Sequence, residues 1–150
     1  MFRINRKTDY AIRVVLALAK QGDDALLSTA QIQKEMLIPK SLAGRLVAEL
    51  AKGGFLITFP GRDGGLKLSR PAAEINLRQV IELMEGEMLI SECLHGRGTC
   101  PFDERCPVRT RWGRLQALIV RELEQTTFEE LAREAILSAA EVIPLQVEQV

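Results

Sequence analysis

The segment from Ser28 to Leu68 leaves few folds open. Ser28-Thr29-Ala30-Gln31 is a capping-box pattern, in which the serine hydroxyl accepts a backbone N–H while Gln31 reaches back. It predicts a helix of about two turns with Ile32 and Met36 inward. Leu37-Ile38-Pro39 is a tight connection, and Pro39 suits the first position of the next helix, where no backbone donor is needed. That second helix reaches Lys52. Leu42, Leu46, Val47 and Leu50 form its apolar stripe, leaving Lys40, Ser41, Gly44, Arg45 and Ala48 elsewhere on its circumference. Gly53-Gly54 stops it, because glycine accepts the left-handed conformation that closes a helix. Phe55 to Phe59 then reads as a strand, Pro60 to Gly65 as a turn, and Leu66-Lys67-Leu68 as a return strand. Two short helices, a break and a hairpin with a glycine-rich basic tip make a winged helix-turn-helix. Its second helix can enter a major groove, and its wing can lie against the backbone or minor groove.

The flanks are helical. Tyr10, Ala11, Val14, Val15 and Leu18 recur at helical spacing from Thr8 to Lys20, and Gly22-Asp23-Asp24 turns the chain. Ala11 to Ala19 faintly resembles a secretion signal, but the apolar run is short and contains Arg13, so a helix packed in a core is the reading adopted. A fourth helix is expected over Leu77 to Glu85, with Leu77, Val80, Ile81 and Met84 inward. A longer one runs from Val108 to Gln125, where Val108, Trp112, Leu115, Leu118, Ile119 and Leu123 give a coiled-coil-like seam suited to pairing with a second copy. Thr127-Phe128-Glu129-Glu130 opens a last helix through Leu131, Ala135 and Ile136, with Pro144 marking its end. The fold class is mainly α with a small β-hairpin. Residues 1–70 form a DNA-binding region, 71–107 a connecting helix and cysteine loop, and 108–150 a dimerisation helix and C-terminal helix.

Charge supports that division. The formal net charge is zero, yet residues 1–70 carry 12 Lys/Arg against 6 Asp/Glu, while residues 71–150 carry 8 against 14. A basic half joined to an acidic half is the pattern of a DNA-binding module with a regulatory or pairing region. Candidate DNA contacts are Ser28, Thr29, Lys40, Ser41, Arg45 and Arg62: lysine and arginine for guanine edges or phosphate, hydroxyls for phosphate, and Arg62 for a narrow minor groove. No run approaches the length of a membrane span. With one histidine and no nucleophile–base pair, phosphate-binding loop or dinucleotide fingerprint, no enzyme and no small-molecule substrate is expected.

Cys93, Cys100 and Cys106 are the only cysteines, spaced C-x6-C-x5-C in a loop rich in glycine and proline. An odd count argues against a complete disulfide framework, and thiols kept as ligands fit a reducing cytoplasm. Three soft ligands suit zinc or an iron–sulfur cluster, either of which needs one more donor. His95 follows Cys93 closely, but its spacing matches no standard zinc finger. A zinc- or thiol-redox-controlled regulator using the same cysteines is the alternative.

With these motifs in place the chain resembles the winged-helix repressors that sense iron–sulfur cluster status, nitric oxide or iron (IscR-, NsrR- and RirA-like regulators). The resemblance covers about residues 1–137. It is carried by Lys7-Thr8-Asp9-Tyr10-Ala11-Ile12-Arg13, Ile38-Pro39-Lys40-Ser41-Leu42, Leu50 to Leu56, the Gly64-Gly65 wing and the three-cysteine loop. It implies a homodimer on a near-palindromic double-stranded DNA operator, with Cys93, Cys100 and Cys106 as cluster ligands. One branch of the family has a histidine ligand three residues after the last cysteine, where this chain has Arg109. In the nitric-oxide branch an aspartate in the first helix of the other subunit completes the site, and Asp9 falls there. The resemblance therefore favours [4Fe–4S] over [2Fe–2S]. Pro60-Gly61 replaces the Arg-Gly usual in the wing, Leu42 replaces a frequent aromatic, and the first cysteine gap is one residue longer than in the best-known members.

Overall fold

The computed structural model describes residues 3–96, 98, 100–103 and 105–140; Pro144 lies outside them. Helix α1 (Arg6–Gln21) is the centre of the core. The Asn5 side chain caps it by accepting from the Thr8 N–H at 2.9 Å. Ala11, Val14, Val15, Ala17 and Leu18 are buried, and the alanines let neighbouring elements approach closely. The stretch resembling a secretion signal is thus the packed heart of the molecule.

Helices α2 (Thr29–Glu35) and α3 (Lys40–Lys52) form the helix-turn-helix. Both bonds of the Ser28/Gln31 capping box are present, at 3.1 and 2.7 Å. Pro39 sits one place earlier than its type suggested. It is the residue before the helix, with extended ψ of 133°, and its carbonyl accepts from the Leu42 and Ala43 N–H groups. The buried stripe of α3 is accordingly Ala43, Leu46, Val47 and Leu50, an i, i+3, i+4, i+7 set, with Leu42 half-buried at its margin.

Leu37, in the turn between these helices, is 81% exposed and has φ of +53°. A side chain in the left-handed region costs about 1–2 kcal/mol, and exposure leaves little packing to offset it. Leu37→Gly is expected to raise the unfolding free energy in urea by about 0.5–1 kcal/mol. A less stable variant would show that this leucine is held by contacts it does not make in the isolated chain.

Strands β1 (Leu56–Phe59) and β2 (Gly65–Leu68) pair antiparallel with Leu56 opposite Leu68 and Phe59 opposite Gly65. Leu27 adds a bridge to Leu66 on the free edge of β2. Gly54, at φ +79°, makes the turn from α3 into β1. The Arg70 guanidinium lies 4.9 Å from the ring centre of buried Phe55.

A 3-10 turn (Ala72–Glu74) leads to α4 (Leu77–Glu85), whose bounds match expectation. Val80 and Ile81 are buried, and Leu77 and Met84 pack against the core from its edge. A second 3-10 turn (Glu92–Leu94) precedes the cysteine loop, then α5 (Pro107–Gln125) and α6 (Phe128–Ala140). Between α5 and α6 the chain is clamped to the start of α4. The Leu77 N–H donates to the Thr126 carbonyl at 3.1 Å and the Phe128 N–H to the Ile75 carbonyl at 2.9 Å. Phe128 is fully buried, and α6 lies along α1. The Thr127 hydroxyl accepts from the Glu130 N–H, as its capping pattern predicts. Phe128 and Ala132 are the buried positions of α6, with Leu131 at their edge, and Ile136 is exposed. Among the described residues, no helix is long and apolar enough to cross a membrane.

Candidate nucleic-acid interface and cysteine loop

The burial of Ala43, Leu46, Val47 and Leu50 turns the opposite face of α3 to solvent. Lys40, Ser41, Gly44, Arg45 and Ala48 are all exposed. Among the described residues Lys40, Arg45 and Arg62 have no ion-pair partner, so their charge is available to phosphate or base edges. Arg62 is exposed at the tip of the wing, in the turn opened by Gly61. Ser28 and Thr29, half-buried, stand at the start of α2; the Ser28 oxygen is engaged in its cap. Polar struts fix α1 against this module. Lys7 pairs with Glu49 of α3 at 2.7 Å, Lys20 with Glu35 of α2 at 2.7 Å, and Arg13 donates to the Met36 carbonyl at 3.4 Å.

The three cysteines are free thiols and all half-buried. Cys93 lies in the second 3-10 turn, where its sulfur is 3.2 Å from the Ser91 hydroxyl. Cys100 opens a tight turn, its carbonyl accepting from the Asp103 N–H at 3.1 Å. Cys106 is the N-terminal cap of α5, and its sulfur accepts from the Arg109 N–H at 3.5 Å. Cys100 lines an open cavity of about 1000 Å³ bounded by the loop and the first turns of α5. His95 is exposed, with its Nδ1 3.8 Å from the Glu87 carboxylate.

Asp9 occupies the first turn of α1, where its carboxylate pairs with Arg13 at 2.7 Å. Arg13 in turn stacks over the Tyr10 ring at 5.3 Å. Among the described residues of one chain, no three His, Cys, Asp or Glu side chains converge as a metal-binding group. The fold therefore brings the cysteines onto one loop but does not add Asp9 to them within the same chain. The donor set still suits a soft centre in kind: three cysteine side chains on one segment, none of them joined in a disulfide.

Helix α5 buries none of its residues. Leu118 is 65% exposed and Val108, Trp112 and Leu115 are also open, so most of the expected seam is uncovered in the single chain, with Ile119 and Leu123 half-buried. At its far end Arg78 of α4 bonds both Glu82 and Glu124 of α5. Those hydrogen bonds, Glu82 first, raise the Arg78 pKa above its already high ordinary value, so the joint stays charged. Two features escaped the sequence reading. The Asn76/Gln79 capping box follows the same pattern as Ser28/Gln31 and was there to be found. The pairing of Asp103 with Arg109 at 2.8 Å joins a loop to a helix and has no periodic signal.

Residues 4–134 match the family model described as "Rrf2: Iron-dependent Transcriptional regulator". The chain is 29% identical over 131 residues to the HTH-type transcriptional regulator NsrR of Oceanobacillus iheyensis, covering 87% of this chain and 89% of that protein. Among solved structures it is similar to CymR, the global cysteine regulator of B. subtilis, with TM-score 0.75 and 23% identity over 89% of this chain and 98% of that one. It is also similar to the oxidized form of Staphylococcus aureus CymR, with TM-score 0.67 and 26% identity over 87% of this chain and 96% of that one.

Proposed function

The chain belongs to the Rrf2 family of transcriptional regulators, which are DNA-binding proteins and not enzymes, and from that footing we propose that it is a homodimeric repressor whose operator binding is controlled by an iron–sulfur cluster. The observation that carries this reading is the place of the cysteines. Cys106 caps the helix whose uncovered seam would pair two copies, and the loop it closes joins that helix to the body carrying α3 and the wing. Cys93, Cys100 and Cys106 would hold the cluster, with Asp9 of the partner subunit as the fourth donor and [4Fe–4S] as its form. When bound, the cluster supplies sensitivity to iron supply, nitric oxide or oxidants in a reducing cytoplasm. The chain's own residues do the rest. The cysteine loop sets the seating of α5, α5 sets the separation of two α3 helices, and a dimer reads half-sites only at a fixed separation.

In this division residues 1–70 bind DNA, 71–107 sense and 108–150 pair. Ser28, Thr29, Lys40, Ser41, Arg45 and Arg62 are the proposed DNA contacts. Anaerobic purification with absorption spectra and iron and sulfide assays tests the cofactor. A colourless protein that retains no iron after reconstitution would sink that part of the reading. Footprinting on the gene's own upstream region tests the operator, and an absence of binding at low salt, where phosphate attraction is strongest, counts against a regulator. Arg45→Ala or Arg62→Ala is expected to weaken DNA binding by about 1–3 kcal/mol at unchanged cluster absorbance, whereas Cys100→Ala should bleach the cluster. If both kinds of variant keep wild-type binding and colour, the assignment of these residues is wrong.

A second reading has its own support. The three thiols are not converged in the single chain, and one similar fold is that of a CymR in an oxidized form. A regulator switched by zinc or by thiol oxidation uses the same loop. Stoichiometric zinc without iron, under anaerobic handling, would favour it.

A further inference from the structure

We propose that Arg109 and Asp103 are positioning residues that hold the cysteine loop in one shape against α5. The proposal deepens the reading above and rests on it for the identity of the bound group, though not for the clamp itself.

Asp103 is the anomaly. Its side chain is only 8% exposed, in a loop whose neighbouring Pro101, Phe102 and Arg105 are exposed. A carboxylate is withdrawn from water at a cost unless its oxygens are engaged. Here both are. Oδ2 accepts from the Gly98 N–H at 2.5 Å. Oδ1 faces Arg109 Nη1 at 2.8 Å, as charge pairing rather than an aligned hydrogen bond. Arg109 then extends its other nitrogen, Nη2, to the Gly96 carbonyl at 3.2 Å, while its backbone N–H meets the Cys106 sulfur.

Those contacts tie together three segments. Gly96 and Gly98 lie between the first two cysteines, Asp103 lies between the last two, and Arg109 belongs to α5. The bonds from Asp103 to Cys100 and from Arg105 to Phe102 each close a single turn and cannot set the spacing of the cysteines. A guanidinium has donors only, so Arg109 cannot ligate a cation. What it offers is geometry: a rigid fork reaching a carboxylate on one side and a carbonyl on the other. Held this way, the loop presents Cys100 at the wall of the cavity beside α5 with less conformational freedom to lose when a group binds.

Arg109→Ala, Asp103→Asn and the double variant test the clamp in the full-length chain by two measurements. In metal-free protein, alkylation of each thiol by iodoacetamide is followed by peptide mass. In anaerobically reconstituted protein, bleaching by an iron chelator is followed at visible wavelengths, with iron and sulfide content. Each single variant is expected to speed Cys100 alkylation several-fold and bleaching roughly ten-fold, with the double variant no faster than either, because the residues act as one unit. The thermal midpoint of the metal-free protein should stay near wild type, since the core does not include the loop. Wild-type alkylation and bleaching in the single variants, or additive acceleration in the double, overturns the proposal. The two ideas fail separately. Wild-type protein that takes up no iron removes the cluster reading, and the alkylation rates still decide the clamp.

Discussion

Phe128→Ala is expected to lower the unfolding free energy by about 3–5 kcal/mol, the range for emptying an aromatic from a closed core. Phe128 is the largest of the fully buried side chains. It sits at the joint where the chain leaves α5, bonds its backbone to Ile75 and turns along α1. The cavity left behind would be bounded by α1, the 3-10 turn at Ala72–Glu74 and α6, elements fixed by the rest of the core and poorly able to collapse into it. In a domain of this size the loss corresponds to a fall in the thermal midpoint on the order of 10 °C, measurable by circular dichroism. A cost below about 1 kcal/mol would mean that α6 docks without belonging to the core.

The second large effect concerns function more than stability. A Cβ built on Gly64 would lie 1.9 Å from the Phe59 carbonyl oxygen and 2.8 Å from its carbon. Both are backbone atoms of the facing strand, so nothing flexible can swing aside. Gly64→Ala must therefore reshape the turn and break the Phe59–Gly65 pairing, displacing Arg62 at the tip. The stability loss should be about 1–3 kcal/mol, as for other overpacked sites, because Leu66 and Leu68 remain anchored in the core. DNA affinity at low salt should fall at least ten-fold while the helical signal in circular dichroism persists, if wing phosphate contacts contribute as proposed. Unchanged affinity would remove the wing from the interface.

Much of this architecture was legible from residue order because its signals are local. Ser28/Gln31, the Gly53-Gly54 stop and the hairpin turn after Phe59 act within a few residues, and the structure has each of them, with β1 opening one residue later than its pattern, at Leu56, and β2 one earlier, at Gly65. The bounds of α4 were readable for the same reason. Apart from the Asn76/Gln79 box and the one-residue shift of Pro39, which are local, what was missed depends on partners distant in sequence. Phe128 was read as part of a helix entrance; that it fills the centre of the core follows from the return of the chain to Ile75, which no period announces. Pro39 moved by one residue because its carbonyl, rather than its missing N–H, turned out to matter. In the site, the clustering of the cysteines was visible at once, whereas the bond network of Asp103 was not. An aspartate in a glycine-rich loop ordinarily reads as solvated, and only the fold puts Arg109 opposite it.

Helix α5 is bonded near both ends and at its middle, where the Gln116 side chain accepts from the Ile90 N–H at 3.1 Å, and none of its residues is buried. Mechanically it is a boom. Its 19 residues, at about 1.5 Å each, place the Cys106 end roughly 28 Å from the Thr126 pivot. A tilt of about 5° about that pivot would carry the tip through roughly 2.5 Å, by the same helical rise. That is close to the width of one atom, yet Phe128 and the core beneath it need not move at all. A rearrangement of that size among the cysteines is thus converted into a change of angle in α5, and its cost falls on contacts of unburied residues, the Ile90–Gln116 bond among them, rather than on the packed core.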